Sequence, residues 1–360
     1  MRLRGATIAE LAAQLRETRP SQARVVLRLE DCEAIIDTNS DELAQRLSDY
    51  WRAFVVPAPT DRPSIQIAAI ETGDVGCDLA FRPFPASPGK TRVKDAYCDL
   101  ADGRVTRKPA TGMMGLLSAD ESVVFGPCAA NLNQVINFVN NRYMQRLVDA
   151  GGLVCHAAAF TRSGTGAMLA GLSGRGKSTL TLRMLARGFD FVSNDRVIIR
   201  RDGELTLHGI PKSPRVNPGT LLNEPGLRGM LPGAEIARLQ ALAPDELWRL
   251  EEKNDVDVTA AFPGCAFQLG AAGRAVFLLA WERGDAAPPR AERVDLAESP
   301  ELLAALTKSV GPHYYTKPGD MPPPIDDDAY LAMLAGCPVY AIRGGVGFDT
   351  AAAIIVGLMG

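Results

Sequence analysis

The stretch Gly171–Leu180 reads GLSGRGKSTL, and few local patterns restrict a fold as tightly. Gly171, Gly176, Lys177 and Ser178 satisfy G-x-x-x-x-G-K-[ST] in full. At average residue frequencies a random chain of this length matches roughly once in a hundred. The context is also the required one. Ala167–Ala170 is an apolar strand running into the glycines, and Thr179–Arg187 continues as a helix with Leu182 and Leu185 on one face and Gly188 at its end. Glycines at this spacing let successive backbone N–H groups turn inward around an oxyanion, while the following helix adds its positive end. Gly171, Ser173, Gly174, Arg175, Gly176, Lys177, Ser178 and Thr179 are therefore the expected nucleotide-binding residues. Lys177 is placed to reach the β- and γ-phosphates of ATP, and Ser178 to hold Mg²⁺.

Around this loop the chain divides into two halves. A helix near residues 7–17 precedes strands at Val25–Leu29 and Ala34–Asp37. Ser40 caps a second helix whose Leu43, Leu47, Tyr50 and Trp51 repeat at helical spacing. Ser64–Ile70 is a strand, and Pro and Gly then punctuate short apolar runs to about residue 125, with a turn at Asp102-Gly103. The expectation is a β-rich N-terminal α+β domain over 1–126 and an α/β P-loop domain over 127–360, entered through a long helix at Asn131–Leu147. In the second domain Leu153–Phe160 reads as one strand, Asp202-Gly203 as a hairpin turn, Val276–Trp281 as a buried strand, and Gly311–Pro324 as a lid or mobile excursion.

Composition removes several function classes. Of 360 residues, 46% are hydrophobic and 22% charged, and the net charge of −3 comes without the clustered basic face that duplex binding needs. No nucleic-acid partner is expected. The N-terminus mixes Glu10 and Glu17 into a helical pattern, so neither a signal nor a membrane span is expected, which places the chain in the cytoplasm. Seven cysteines without a CxxC pair read as reduced thiols, and Cys155 beside His156 lacks the spaced ligands of a metal site.

A P-loop does not say what happens to the phosphate. No Asn-Lys-x-Asp guanine-reading element occurs, and the strand ending in Glu282 lacks the aspartate of a transport ATPase. The first acidic residue at a strand end after the P-loop helix is Asp195, in FVSNDRV. Adjacent strands of such a sheet bring their C-terminal ends to one crevice, so Asp195 is expected to face the γ-phosphate and its metal.

The run VCHAAAFTRSGTGAMLAGLSGRGKSTLTLRMLARGFDFVSNDRV resembles the catalytic domain of HPr kinase/phosphorylase. That family carries a histidine one strand before the glycine loop, a helix closing in Arg-Gly, and paired aspartates followed by Arg-Val. His156, Arg187-Gly188 and Asn194-Asp195-Arg196-Val197 stand in those places. The phrases GIPKSPRVNPGTLL and DELWRLEEKNDVDV are more similar to the HPr kinase-related kinase B group. The resemblance spans residues 150–260 and leaves 1–126 uncovered. It implies a kinase domain of the HPr kinase and PEP carboxykinase-like type, ATP and Mg²⁺ as cofactors, and a hydroxyl on a protein or small-molecule acceptor. Genes of that group usually stand beside one for an ATP-grasp protein, which is implied as a partner; a homo-oligomer is also expected.

One departure is chemical: asparagine at 194 cannot take a proton, so the chain must combine the roles of two carboxylates in Asp195 or recruit another carboxylate, and a reverse phosphorylase reaction is in doubt. Asp195, Lys177 and His156 are the expected catalytic residues, with Ser178 and Asp195 on the metal. Lys212 and Arg215, on a proline-stiffened loop, are the expected substrate clamp. Glu251, Glu252, Asp255 and Asp257 form an acidic run, and Arg343 is a candidate finger. The rival class is an ATP-binding switch or assembly factor that transfers nothing to an acceptor.

Overall fold

The computed structural model describes residues 5–73, 75–84, 93–172, 174–250 and 252–360, with the side chain of Trp248 left aside. Two units form: one from residues 1–149 and 309–324, the other from 150–308 and 325–360. The expected boundary at 126/127 moves to 149/150. The reason is packing, because helix Leu132–Asp149 lies against helix Asp41–Tyr50 and strands Ser64–Glu71 and Ser122–Gly126. No described helix is long and apolar enough to cross a membrane.

In the first unit nine strands of the described residues make one mixed sheet. Glu33–Thr38 and Ser122–Gly126 run parallel to Ser64–Glu71, and a meander continues from Ser122–Gly126 through Met114–Leu117, Arg104–Arg107 and Ala96–Asp99. Helix Ile8–Thr18 starts in a capping box between Thr7 and Glu10 and buries Ile8, Leu11, Ala12 and Leu15 against Met114, Leu116 and Phe125. Ser40 accepts from the Leu43 N–H, as expected, and Trp51 is buried. The segment 311–324 is neither lid nor excursion. Arg142 donates to the His313 carbonyl, Tyr315 N donates to Gln145 Oε1 at 3.2 Å, and buried Arg104 donates to the Asp320 carbonyl at 2.6 Å. These bonds tie it to the first unit.

The second unit is a three-layer sandwich. The sheet runs in the order Leu153–Cys155, Val197–Asp202, Glu204–His208, Gly270–Leu279, Thr165–Ala170, Ala157–Arg162, Asp190–Ser193, with Val339–Arg343 also on Gly270–Leu279. Strands at its centre read as unbroken apolar runs because both faces are covered. Ala158, Phe160, Leu169, Phe277 and Leu279 face helices Lys177–Leu185 and Phe348–Met359. Ala157, Ala159, Met168, Ala170 and Leu278 face helices Pro300–Leu306 and Asp327–Met333.

Two strand expectations change here. Leu153–Phe160 is not one strand: it breaks at His156, with Leu153–Cys155 pairing to Val197–Ile199 and Ala157–Arg162 pairing to Thr165–Ala170. Asp190–Ser193 is not adjacent to the P-loop strand either, since Ala157–Arg162 lies between them. That strand is antiparallel to both neighbours, so the strand ending at Ala170 and the one ending at Ser193 still point the same way. Their C-terminal ends therefore share one edge of the sheet.

Candidate active site

The glycine loop joins strand Thr165–Ala170 to helix Lys177–Leu185. Gly174 and Gly176 have φ of +80° and +89°, and a Cβ on Gly176 would lie 2.7 Å from the Phe348 ring. Only glycine permits both the backbone turn and that approach. Phe348 meets buried Trp281 edge-on at 5.3 Å, and Trp281 Nε1 donates to the Arg175 carbonyl at 2.9 Å while the Arg175 guanidinium donates to the Trp281 carbonyl. The loop is thus fixed from two sides. No side chain caps the helix at Gly176, which leaves its first N–H groups to an anion. Ser173 lies outside the described residues. Thr179 spends its hydroxyl on Thr220 at 2.9 Å.

Lys177 folds over the loop, donating from Nζ to the Gly171 carbonyl at 2.6 Å, and only 9% of the residue is exposed. Burial pulls its ammonium down to about 8, against the raising effect of Asp195 and helped by Lys308 and Lys253.

Asp195 sits in the turn between Asp190–Ser193 and Val197–Asp202 with φ +82°, a left-handed conformation that a short polar residue tolerates better than most. Ser193 Oγ fixes that turn, donating to the Arg196 carbonyl at 2.5 Å and accepting from Ile210 N at 3.4 Å. The Asp195 carboxylate lies 3.6 Å from His156 Nε2, 3.6 Å from Lys308 Nζ and 3.8 Å from Arg196 Nε. Desolvation would raise its pKa, but Lys308 first, then Arg196, His156 and Lys212, outweigh that and hold it below the ordinary carboxylate value. Asn194 leaves its buried Oδ1 without a hydrogen bond among the described residues. A second carboxylate there would be a buried charge with no donor.

His156 occupies the bend between two strands rather than a strand interior. Its backbone N donates to the Leu306 carbonyl at 2.7 Å, and Cys155 bridges to Thr307. Burial, then Lys177 and Lys308, press the imidazole down to about 4 against the pull of Asp195, so it is uncharged at neutral pH. Cys155 is buried, and burial raises its thiol far out of the reactive range.

The structure brings His156, Lys177 and Asp195 together with Arg196, Lys212 and Lys308. Lys212 comes close because Gly209 lets the chain pass Val192, whose carbonyl oxygen would stand 2.2 Å from a Cβ. Arg215 and Asp255 also act on Lys212, and the other expected site residues are engaged in contacts of their own. Arg215 pairs with Asp255 at 3.3 Å and donates to the Lys253 carbonyl. Glu252 pairs with Arg238, and Asp257 caps helix Val258–Ala261. Arg343 pairs with Glu292 at 3.0 Å, and Glu251 lies outside the described residues. Among the described residues no group of three or more His, Cys, Asp or Glu is placed to hold a metal ion.

Lys308 had no sequence signal. It follows helix Pro300–Leu306 in an ordinary polar stretch, and only the bridge to Cys155, the bond from its N–H to the Val154 carbonyl at 3.1 Å and the Tyr330 hydroxyl on that same carbonyl deliver it beside His156.

No family model and no curated protein matches the chain. Among solved structures, 67 chains match. One is titled as the HPr(Ser) kinase/phosphatase from Coxiella burnetii, at 11% identity and a TM-score of 0.30, covering 57% of this chain and 89% of that one.

Proposed function

We propose that this chain is an ATP-dependent phosphotransferase that moves the γ-phosphate to a hydroxyl of a protein or small-molecule acceptor. The observation that carries the reading is one cluster holding a glycine loop, the loop's lysine and a carboxylate after a strand end on the same edge of the sheet. The uncapped helix and the lysine suit a triphosphate. Mg²⁺ suits the remaining donors: it keeps most of its water and takes one or two protein oxygens plus phosphate oxygens, and Ser178 and Asp195 supply that number. When bound, it would neutralise charge building on the phosphates.

In the transfer step the acceptor oxygen attacks the γ-phosphorus and gives its proton to Asp195, while the β–γ bridging oxygen leaves with ADP. Cations hold the Asp195 carboxyl low in the free protein, which makes it a weak base. Bound phosphates offset those cations and raise it. His156, uncharged at neutral pH, serves as a neutral hydrogen-bonding neighbour of the transferred group. The expected setting is the cytoplasm, with an ATP-grasp protein and further copies of the chain as expected partners.

The test incubates wild type and Lys177→Ala with γ-labelled ATP, Mg²⁺ and host extract. A labelled acceptor seen only with wild type supports the kinase. Hydrolysis without a labelled acceptor favours the switch, a reading that Asn194 in place of a second carboxylate also favours.

A further inference from the structure

Lys253 is the one basic residue between Glu251 and Asp257, and the fold carries it toward the glycine loop. A chain of contacts places it there. The Thr220 hydroxyl lies 2.9 Å from that of Thr179, in the first turn of helix Lys177–Leu185, and the Thr220 N–H donates to the Asn217 carbonyl at 2.9 Å. Val216, just before Asn217, is buried in one core with Leu180 of that helix. Val216 pairs with Asn254, and Arg215 with Asp255, in a short antiparallel ladder. The ladder's next position is Lys253, whose carbonyl accepts from the Arg215 guanidinium at 3.1 Å.

The charges of the segment are sorted as well. Glu252 pairs with Arg238 at 2.9 Å and Asp255 with Arg215 at 3.3 Å, while the Lys253 ammonium makes no hydrogen bond or ion pair among the described residues. Lys253 nevertheless acts on Lys177: after burial, and with Lys308, it helps to lower that ammonium's pKa against the pull of Asp195. It is not among the charges that bear most on Asp195 or His156, so it stands on the glycine-loop side of the cluster. Two ammonium groups that repel one another gain when an oxyanion joins them.

We infer that Lys253 is a further nucleotide-binding residue, which meets the β- and γ-phosphates from the side of this ladder while Lys177 holds them from the glycine loop. This rests on the phosphotransferase reading and extends its nucleotide site into a segment whose sequence is otherwise acidic. The ladder fixes the backbone, and the long stem of the lysine lets a point charge follow the phosphate oxygens.

The experiment titrates the full chain with the non-hydrolysable analogue AMP-PNP and Mg²⁺ by calorimetry, and melts the same proteins free of nucleotide. Lys253→Gln should weaken AMP-PNP binding by about tenfold, the usual worth of a charge-assisted bond. Lys253→Arg should restore it, which separates charge from shape. Because Lys253 is exposed, the melting temperature of nucleotide-free Lys253→Gln should stay at the wild-type value. Unchanged AMP-PNP binding, a loss that Lys253→Arg does not restore, or a lowered melting temperature refutes the role and leaves the kinase reading standing. If wild type does not bind AMP-PNP, both fall.

Discussion

Replacing Lys177 by Met should abolish nucleotide-dependent activity and yet stabilise the protein free of nucleotide at neutral pH. The ammonium is nearly buried, and burial brings it from 10.5 to about 8. Because the folded value is the lower one, the unfolded chain binds more protons between those limits, and wild-type stability rises with pH through that window. Keeping the ammonium charged costs about 3 kcal/mol at pH 7 and about 1 kcal/mol at pH 9.5, from the two values and the free energy of one pKa unit. Methionine keeps an unbranched apolar stem but loses the Nζ bond to the Gly171 carbonyl, worth about 1 kcal/mol. The balance is a gain of about 2 kcal/mol at pH 7, or about 4–8 °C for a unit of this size, vanishing near pH 9.5. Differential scanning calorimetry of wild type and Lys177→Met at both pH values reads this directly. A variant that melts below wild type at pH 7, or a gap that stays constant between the two pH values, refutes the reasoning.

Further outcomes follow from the same geometry. Asp195→Asn keeps a residue suited to φ +82°, so with Ser178 as the chief metal anchor nucleotide affinity should change little while single-turnover transfer falls by about 10²–10⁴; normal transfer would remove the residue from proton transfer, and lost nucleotide binding would make it the chief metal anchor instead. His156→Gln replaces one neutral hydrogen-bonding group by another, so turnover at pH 7 should stay within about tenfold of wild type, and a loss of several hundredfold would show that the ring proton is used. Gly209→Ala places a methyl 2.2 Å from the Val192 carbonyl oxygen, which cannot move without parting the strand ends. Urea unfolding should show a loss of about 1–3 kcal/mol, and an unchanged midpoint would contradict the close approach.

What the sequence by itself determined was the local chemistry. The glycines, the lysine and the apolar strand before them specify a strand, a glycine turn and a helix of the phosphate-loop pattern, because each residue acts through its own backbone freedom or charge on neighbours close in the chain. Ser40, Asp102-Gly103 and Asp202-Gly203 were legible for the same reason. The tertiary structure alone decided which distant residues meet. It inserted Ala157–Arg162 between the two strands whose ends share an edge, and it broke the expected strand at His156 because the residues on either side pair with different partners. It also gave Arg215 to Asp255 and Arg343 to Glu292. Lys308 shows why such facts stay hidden. Its place beside Asp195 is set by a β-bridge, a buried tyrosine and a helix packed under the sheet, and none of these leaves a mark in the residues that flank it. A charge in sequence is only a charge; its partner is chosen by the fold.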